Sequence, residues 1–405
     1  MTAAVASGRL LDVVTQRLDK VEAPINIRLW NGALIAPRVP SPITISIRSP
    51  SVLALLARPS LGKLAKAYVE GGIDIEGSFR DVLRSGEALV SDGGSAYGAP
   101  APAWKWWRHS KRADRRNIQT HYDVGNDFYA LWLDRHRVYS CAYFKSPDDS
   151  LDQAQENKLD HICRKLLLKP GERLLDIGCG WGGLIFWAVR NYGVKATGIT
   201  LSDGQFQYVS EKIRELGLQD RCEVRLQDYR DVPESQPFDK ISSVGMFEHV
   251  GLKNLPAYFA KINRLLRAGG LVMNHGITTN SIAGETLGSG IGDFVEEYVF
   301  PGGELMHVST VMQEMSRQGL EVWDAECLRP HYARTLWSWV DRLEAHRDEA
   351  RRLVSEKSLR IWLIYMAGSA HAFARGWISL YQLLGGKALE DGTLAYPLTR
   401  EHMYR

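Results

Sequence analysis

Asp176-Ile177-Gly178-Cys179-Gly180-Trp181-Gly182-Gly183 closes one short apolar run and opens a helical one. Glycines at such a junction allow a tight turn and let a ligand come against the backbone. Loops of this kind cradle either a dinucleotide or S-adenosyl-L-methionine (SAM). The spacing here is GxGxG, where the dinucleotide fingerprint is GxGxxG, and the next apolar run ends in Gly198-Ile199-Thr200, without the acid that binds a dinucleotide ribose. The acid sits inside the loop, at Asp176, where it can face the methionine ammonium of SAM. A nicotinamide oxidoreductase is disfavoured by the missing ribose carboxylate. A purely structural strand-to-helix turn is the remaining reading.

The elements that must position this loop alternate from residue 170 onward. RLLDI (173–177), VKATGIT, CEVRLQ, FDKISSV and LVMNHG read as strands, and GGLIFWAVRNY, SDGQFQYVSEKIRELG and NLPAYFAKINRLL as helices between them. Such βαβ alternation predicts an α/β fold, a doubly wound, Rossmann-like parallel sheet whose ligand site lies at the carboxyl ends of its strands. Residues 1–90 have a different character. INIRLWNGALIAPRVPSPITISIR reads as short strands with a turn at Asn31-Gly32, followed by helical spacing broken at Pro59 and at Gly71-Gly72. That predicts a small N-terminal α+β domain. Residues 91–116 form a linker that ends in WKWWRHSKRADRR, and residues 117–405 carry the α/β domain, with a poorly patterned lid insertion at about 276–330 rich in glycine.

With 405 residues, 45% of them apolar, the chain is long enough for two domains. No stretch reads as a secretory signal, and none supplies the ~20 apolar residues of a membrane span. The five cysteines, Cys141, Cys163, Cys179, Cys222 and Cys327, include no CxxC pair. That pattern argues against a disulfide framework or a zinc site, so no metal is expected, and it fits a reducing, cytoplasmic compartment. Residues 1–120 carry 17 Lys and Arg against 10 Asp and Glu, a net +7, while the remainder is net −4. Trp104, Trp106 and Trp107 stand beside six basic residues in segment 104–116. The pairing fits a bilayer-surface anchor, packing between domains, or, least of the three, stacking of nucleic-acid bases.

HYDVGNDFYALWLD (121–134), YSCAYF (139–144), LLDIGCGWGG (174–183), GITLS (198–202), GMFEHVG (245–251) and FVEEYVFPGGEL (294–305) together resemble the cyclopropane fatty acid synthase family of class I methyltransferases, relatives of the mycolic acid cyclopropane synthases. The resemblance runs from about residue 20 to about 385. It implies an N-terminal lipid-binding domain joined to a SAM domain, a homodimer, and action on cis-unsaturated acyl chains of phospholipids. It further implies peripheral contact with the inner face of the membrane and no nucleic-acid partner. By the same resemblance, SAM contacts fall on Tyr139, Ser140, Asp176, Gly178, Gly180, Gly182, Thr200, Leu201, Ser202, Gln205, Gln227, Asp228 and Tyr229. A bicarbonate ion is expected at Cys141, Glu248, His275, Ile277 and Tyr332. His249 is expected to be structural only. Some members carry a Cys where this chain has Ser369, so no role is assigned there.

The implied chemistry is demanding. An alkene is a weak nucleophile and must be held in line with the sulfonium methyl in a dry pocket. Methyl transfer leaves positive charge on the acyl chain, which aromatic faces can stabilise by ~2 kcal/mol or more when water is excluded. A ring closes only when a base then takes a proton from the new methyl group. Bicarbonate oriented by Glu248 is the expected base. A C-methyltransferase that leaves a branch, and a non-catalytic lipid-binding protein that kept the fold, are the alternatives.

Overall fold

The computed structural model describes residues 10–16, 18–19, 25–37, 40–57, 59–90, 97–100, 124–282, 285–288, 290–300 and 303–404. The tryptophan and basic segment 104–116 lies outside the described residues, as does most of the expected linker. In chain order the strands begin β1 (Asn26–Arg28), β2 (Leu34–Ile35), β3 (Thr44–Ile47), β4 (Ile73–Glu76), β5 (Tyr97–Pro100), β6 (Arg173–Ile177) and β7 (Lys195–Thr200). They continue β8 (Cys222–Leu226), β9 (Phe238–Val244), β10 (Leu266–Thr279), β11 (Glu285–Leu287), β12 (Met306–His307), β13 (Glu321–Cys327) and β14 (Ile378–Gly386). Among the described residues, no helix is long and apolar enough to cross a membrane.

An eight-stranded sheet runs β13-β14-β10-β9-β6-β7-β8, with β12 paired to β10. β6 to β10 are mutually parallel, as the βαβ pattern requires, and β14 runs antiparallel between β10 and β13. Both faces are buried, and alternate residues of each strand feed opposite cores. Leu175, Ile177, Val272 and Leu383 join one hydrophobic cluster, while Leu174, Leu271, Met273 and Leu384 join the other. Helices are capped locally. Ser150 accepts from Gln153 N to start helix Leu151–Lys165, and Ser202 accepts from Gln205 N to start helix Asp203–Glu215.

By its contacts the chain divides into two compact units: residues 1–101, 285–301 and 347–371 form one, and residues 102–284, 302–346 and 372–405 the other. The contiguous boundaries expected from the sequence, 1–90 and 117–405, therefore do not describe it. Within the first unit, β2-β1-β3-β4 make a small sheet and β5 pairs with β11. Segment 73–76, expected to continue a helical stretch, is the edge strand β4. After the Gly71-Gly72 turn its Ile-Asp-Ile-Glu alternation suits a two-faced strand. Late residues join this unit through polar ties. Lys66 pairs with Glu297 at 2.7 Å, Glu70 takes Tyr298 Oη at 2.9 Å and Lys357 Nζ at 2.8 Å, and Arg360 donates to the Tyr68 and Ile73 carbonyls. The expected lid also differs. Residues 276–279 belong to β10, and 308–317 and 321–327 are a helix and β13 of the main sheet.

Helix Leu61–Val69 meets the start of helix Ile291–Tyr298 at Gly62, where an added Cβ would stand 2.0 Å from the Gly290 carbonyl oxygen. Backbone cannot yield as a side chain does, so Gly62→Ala should lower stability by roughly 1–3 kcal/mol. A thermal melt of the variant checks this, and an unchanged midpoint would remove that contact from the fold.

Candidate active site

At the carboxyl end of β6 the glycine loop takes three left-handed turns, with φ of 78° at Gly178, 54° at Gly180 and 84° at Gly182. Gly178 N and Cys179 N both donate to Ile199 O at 3.0 Å, which ties the loop to β7. A pocket opens above it. Tyr139, Ser140, Asp176, Gly178, Gly180, Thr200, Leu201, Gln205, Gln227 and Tyr229 all line it, so ten of the expected SAM contacts meet in one place. Gly182, Ser202 and Asp228 do not line it. Gly182 caps helix Gly183–Tyr192, and Ser202 caps the helix after β7. Asp228, expected among the SAM contacts, has its carboxylate held by Arg230 Nε at 2.8 Å and Nη2 at 2.6 Å. The Thr200 hydroxyl likewise turns inward, donating to Gln205 Oε1 at 2.8 Å.

Asp176 is 3% exposed and accepts from Ser242 Oγ at 2.7 Å. Burial pushes its carboxyl up to about 6, against the lowering effects of Ser242 and of the Lys158 charge. A buried acid of this kind, with no ion-pair partner among the described residues, suits a cationic ligand group.

A second group of buried polar side chains forms beside the pocket. Glu248 follows β9 in a short 3₁₀ turn, and its Oε1 accepts from Ile277 N, on β10, at 2.6 Å. Burial raises its carboxyl to about 7, with the Ile277 bond opposing. His275, two residues before Ile277 on the same strand, stands in register with Gln382 of β14, whose Nε2 lies 3.2 Å from His275 Nδ1. With that amide nitrogen against Nδ1, Nδ1 accepts and the ring proton sits on Nε2. Burial holds the imidazole well below its usual range, so it is neutral at pH 7. Glu248 Oε2 and His275 Nε2 are buried with no hydrogen-bond partner among the described residues.

Cys141 and Tyr332 lie one strand further along. Cys141 Sγ is 3.8 Å from the Leu328 carbonyl, which also accepts from Tyr332 N at 3.0 Å, and Leu328 N donates to Leu380 O, whose residue pairs with Ile277. Burial pushes the Cys141 thiol up, so it is no thiolate. The Tyr332 ring stands edge-on to Trp339 at 6.1 Å and packs on Phe373 at 4.7 Å. Trp339 in turn contacts Tyr139 at 5.2 Å, which carries the aromatic wall back to the pocket. The pocket and this cluster also share chain segments, 139–141 and 246–249.

Several pocket residues have no legible signal in the sequence. Met246 and His249 line it, the latter assigned only a structural place from sequence, and so does Lys158, a buried lysine on helix Leu151–Lys165. A lysine at one position of an amphipathic helix reads as solvated unless its face is known to be buried.

A sheet of this strand order, with one antiparallel strand and a glycine loop under a pocket at the end of β6, defines a class I SAM-dependent methyltransferase. The family model for mycolic acid cyclopropane synthetase matches residues 109–383, and the chain belongs to that family. It is 46% identical over 393 residues to a probable fatty acid methyltransferase from Pseudomonas putida, covering 96% of this chain and 98% of that protein. It is 35% identical over 369 residues to the cyclopropane-fatty-acyl-phospholipid synthase of Escherichia coli K12, covering 90% and 93%. Among solved structures, mycolic acid cyclopropane synthase CmaA1 complexed with SAH and CTAB matches with a TM-score of 0.64 at 36% identity, over 67% of this chain and 98% of that one. The protein is thus an enzyme, which removes the non-catalytic reading.

The buried Glu248 carboxyl has a consequence for stability. Its folded pKa of about 7 lies above the ordinary 4.5, so the folded state holds the proton more tightly, and the associated stability is lost as pH rises between those values. Glu248→Gln keeps the acceptor for Ile277 N and removes the titration. The ligand-free variant should be more stable than wild type by up to ~3 kcal/mol at pH 8 and by far less near pH 5. Urea titrations at the two pH values check this; a difference independent of pH would mean that Glu248 does not titrate in this window.

Proposed function

We propose that the protein transfers a one-carbon unit from SAM to the cis double bond of an unsaturated phospholipid acyl chain and closes it to a cyclopropane, with bicarbonate as the general base. The observation that carries this reading is the pair of buried, unpartnered atoms Glu248 Oε2 and His275 Nε2 beside the SAM pocket. One acceptor and one donor, each buried and without a partner among the described residues, suit a small ion with both hydrogen-bonding roles. When bound, bicarbonate would supply the base that takes a proton from the newly attached methyl.

The chain's own residues do the rest. Asp176 and the glycine loop hold SAM so that its methyl faces the acyl chain. The new carbon–carbon bond forms as the sulfonium–methyl bond breaks, leaving S-adenosyl-L-homocysteine and a positive charge on the neighbouring acyl carbon. Tyr139, Trp339 and Tyr332 offer ring faces for that charge. Glu248 can accept an O–H and His275 Nε2–H can donate. Ile277 has a second part besides its expected one as an ion contact: its N–H holds Glu248 Oε1 and orients that carboxyl. Cys141, un-ionised and donating to backbone carbonyls, packs the floor and does no covalent chemistry.

A second reading has a specific support. The Pseudomonas putida relative at 46% identity is a probable fatty acid methyltransferase, which favours a methyl-branched product from the same first step. Mass spectrometry of fatty acids from a host lacking its own cyclopropane synthase separates the two. A gain of one CH2 on monounsaturated chains that resists hydrogenation supports the ring. The same gain with a hydrogenatable double bond supports the branch, and no gain rejects both. For bicarbonate, enzyme depleted of carbon dioxide should lose most of its turnover, roughly 10²–10⁴-fold at full depletion, and recover on its addition. Indifference to the ion dismisses it as the base.

The substrate also calls for a membrane. We place the enzyme in the cytoplasm, where its unpaired cysteines fit, and take the homodimer from the family resemblance; charge and aromatic content point to the basic, tryptophan-bearing segment 104–116 as its contact with the inner leaflet. Changing Trp104, Trp106 and Trp107 together to Ala should weaken flotation with anionic vesicles while leaving SAM affinity within about twofold. Equal flotation would return these residues to packing between domains.

A further inference from the structure

Lys158 is 2% exposed, and its Nζ donates to Ser140 Oγ at 3.0 Å. Among the described residues it makes no ion pair. The buried acids that act on it through space are both engaged elsewhere: Asp134 accepts from His136 N and Val138 N, and Asp176 from Ser242 Oγ. A neutral side chain would tether the Ser140 hydroxyl without the cost of taking an ammonium out of water. A buried cation held only by a hydroxyl is therefore a poor strut and a good ligand group. Burial lowers its pKa to about 8, which leaves it mostly protonated at pH 7.

Its surroundings say which group it would meet. Lys158, Ser140 and Asp176 line the same pocket, and Gln155, one helical turn before Lys158, fixes the backbone there by donating to Ser140 O at 2.8 Å and Val138 O at 3.2 Å. One wall of the SAM pocket thus carries a buried cation and a buried acid that are not paired with each other. The amino-acid end of SAM carries the opposite pattern, a carboxylate and an ammonium on one carbon. Gln227 and Tyr229, beyond β8, line the pocket from the third strand of the βαβ series, away from this pair.

We propose that Lys158, together with the Ser140 hydroxyl that it holds, forms the subsite for the methionine carboxylate of SAM, set against Asp176 for the ammonium. Lys158 would then be a cofactor-binding residue that sets where the sulfonium lies. The inference rests on the SAM pocket and not on whether the product is a ring or a branch.

Calorimetric titration with SAM and with decarboxylated S-adenosylmethionine, in the absence of lipid, tests it. A charge-assisted contact predicts that wild-type protein prefers SAM by about ten- to hundredfold. Lys158→Met should lose most of that factor for SAM and change affinity for the decarboxylated cofactor by less than about twofold. A purely structural lysine would weaken both cofactors alike, and that outcome overturns the proposal. So does a wild-type preference below about threefold, an arm that decides the matter even if the variant does not fold.

Discussion

Asp176, Lys158 and Glu248, in the methyltransferase unit, are among the ionisable side chains buried without an ion-pair partner among the described residues. Each costs stability as it stands, because desolvation disfavours the charged form and no opposite charge stands in contact to offset it. The directions of their pKa shifts record that cost: both acids rise and the lysine falls. A fold can keep such groups only if the surrounding scaffold is rigid and well packed. The twin cores on the two faces of the sheet supply that rigidity, and the strand ends hold the polar groups in place.

The sheet also explains why the buried polar groups converge. Asp176 lies next to the end of β6, Glu248 follows β9, and His275 and Ile277 lie late in β10, so three neighbouring strands deliver them to one edge. β14 adds Gln382 opposite His275 and, through the bond between Leu328 and Leu380, positions the start of the helix that carries Tyr332. The antiparallel strand is therefore part of the site and not only an edge covering. Because the cofactor pocket and the Glu248 cluster share segments 139–141 and 246–249, a shift in either segment is felt by both.

Strands β6 to β9 are legible to within one residue, because parallel strands buried on both faces are unbroken apolar runs between turn residues. The glycine loop is legible for a similar reason, since only glycine takes its left-handed turns at low cost. β4, β13 and β14 are less so. Short or late strands next to helices show no period long enough to separate the two, and β14, Ile-Ser-Leu-Tyr-Gln-Leu-Leu-Gly-Gly, is as apolar as a buried helix. The unit boundaries escape for another reason: residues 285–301 and 347–371 join the first unit through the β5–β11 pairing, the close approach at Gly62 and polar ties such as Arg360 to the Tyr68 and Ile73 carbonyls, and pairings so distant in sequence leave no periodic trace.

For this chain the order of residues alone determined the class of fold, the cofactor and the family, because those depend on local periods and on a loop whose backbone only glycine tolerates. Tertiary structure decided what each polar side chain is free to do. It turned Asp228 towards Arg230, used the Ile277 N–H to orient Glu248, and buried Lys158 on the pocket wall. Those outcomes turn on how much water and which partners reach each group, and burial is a property of the packed chain and not of any segment of it.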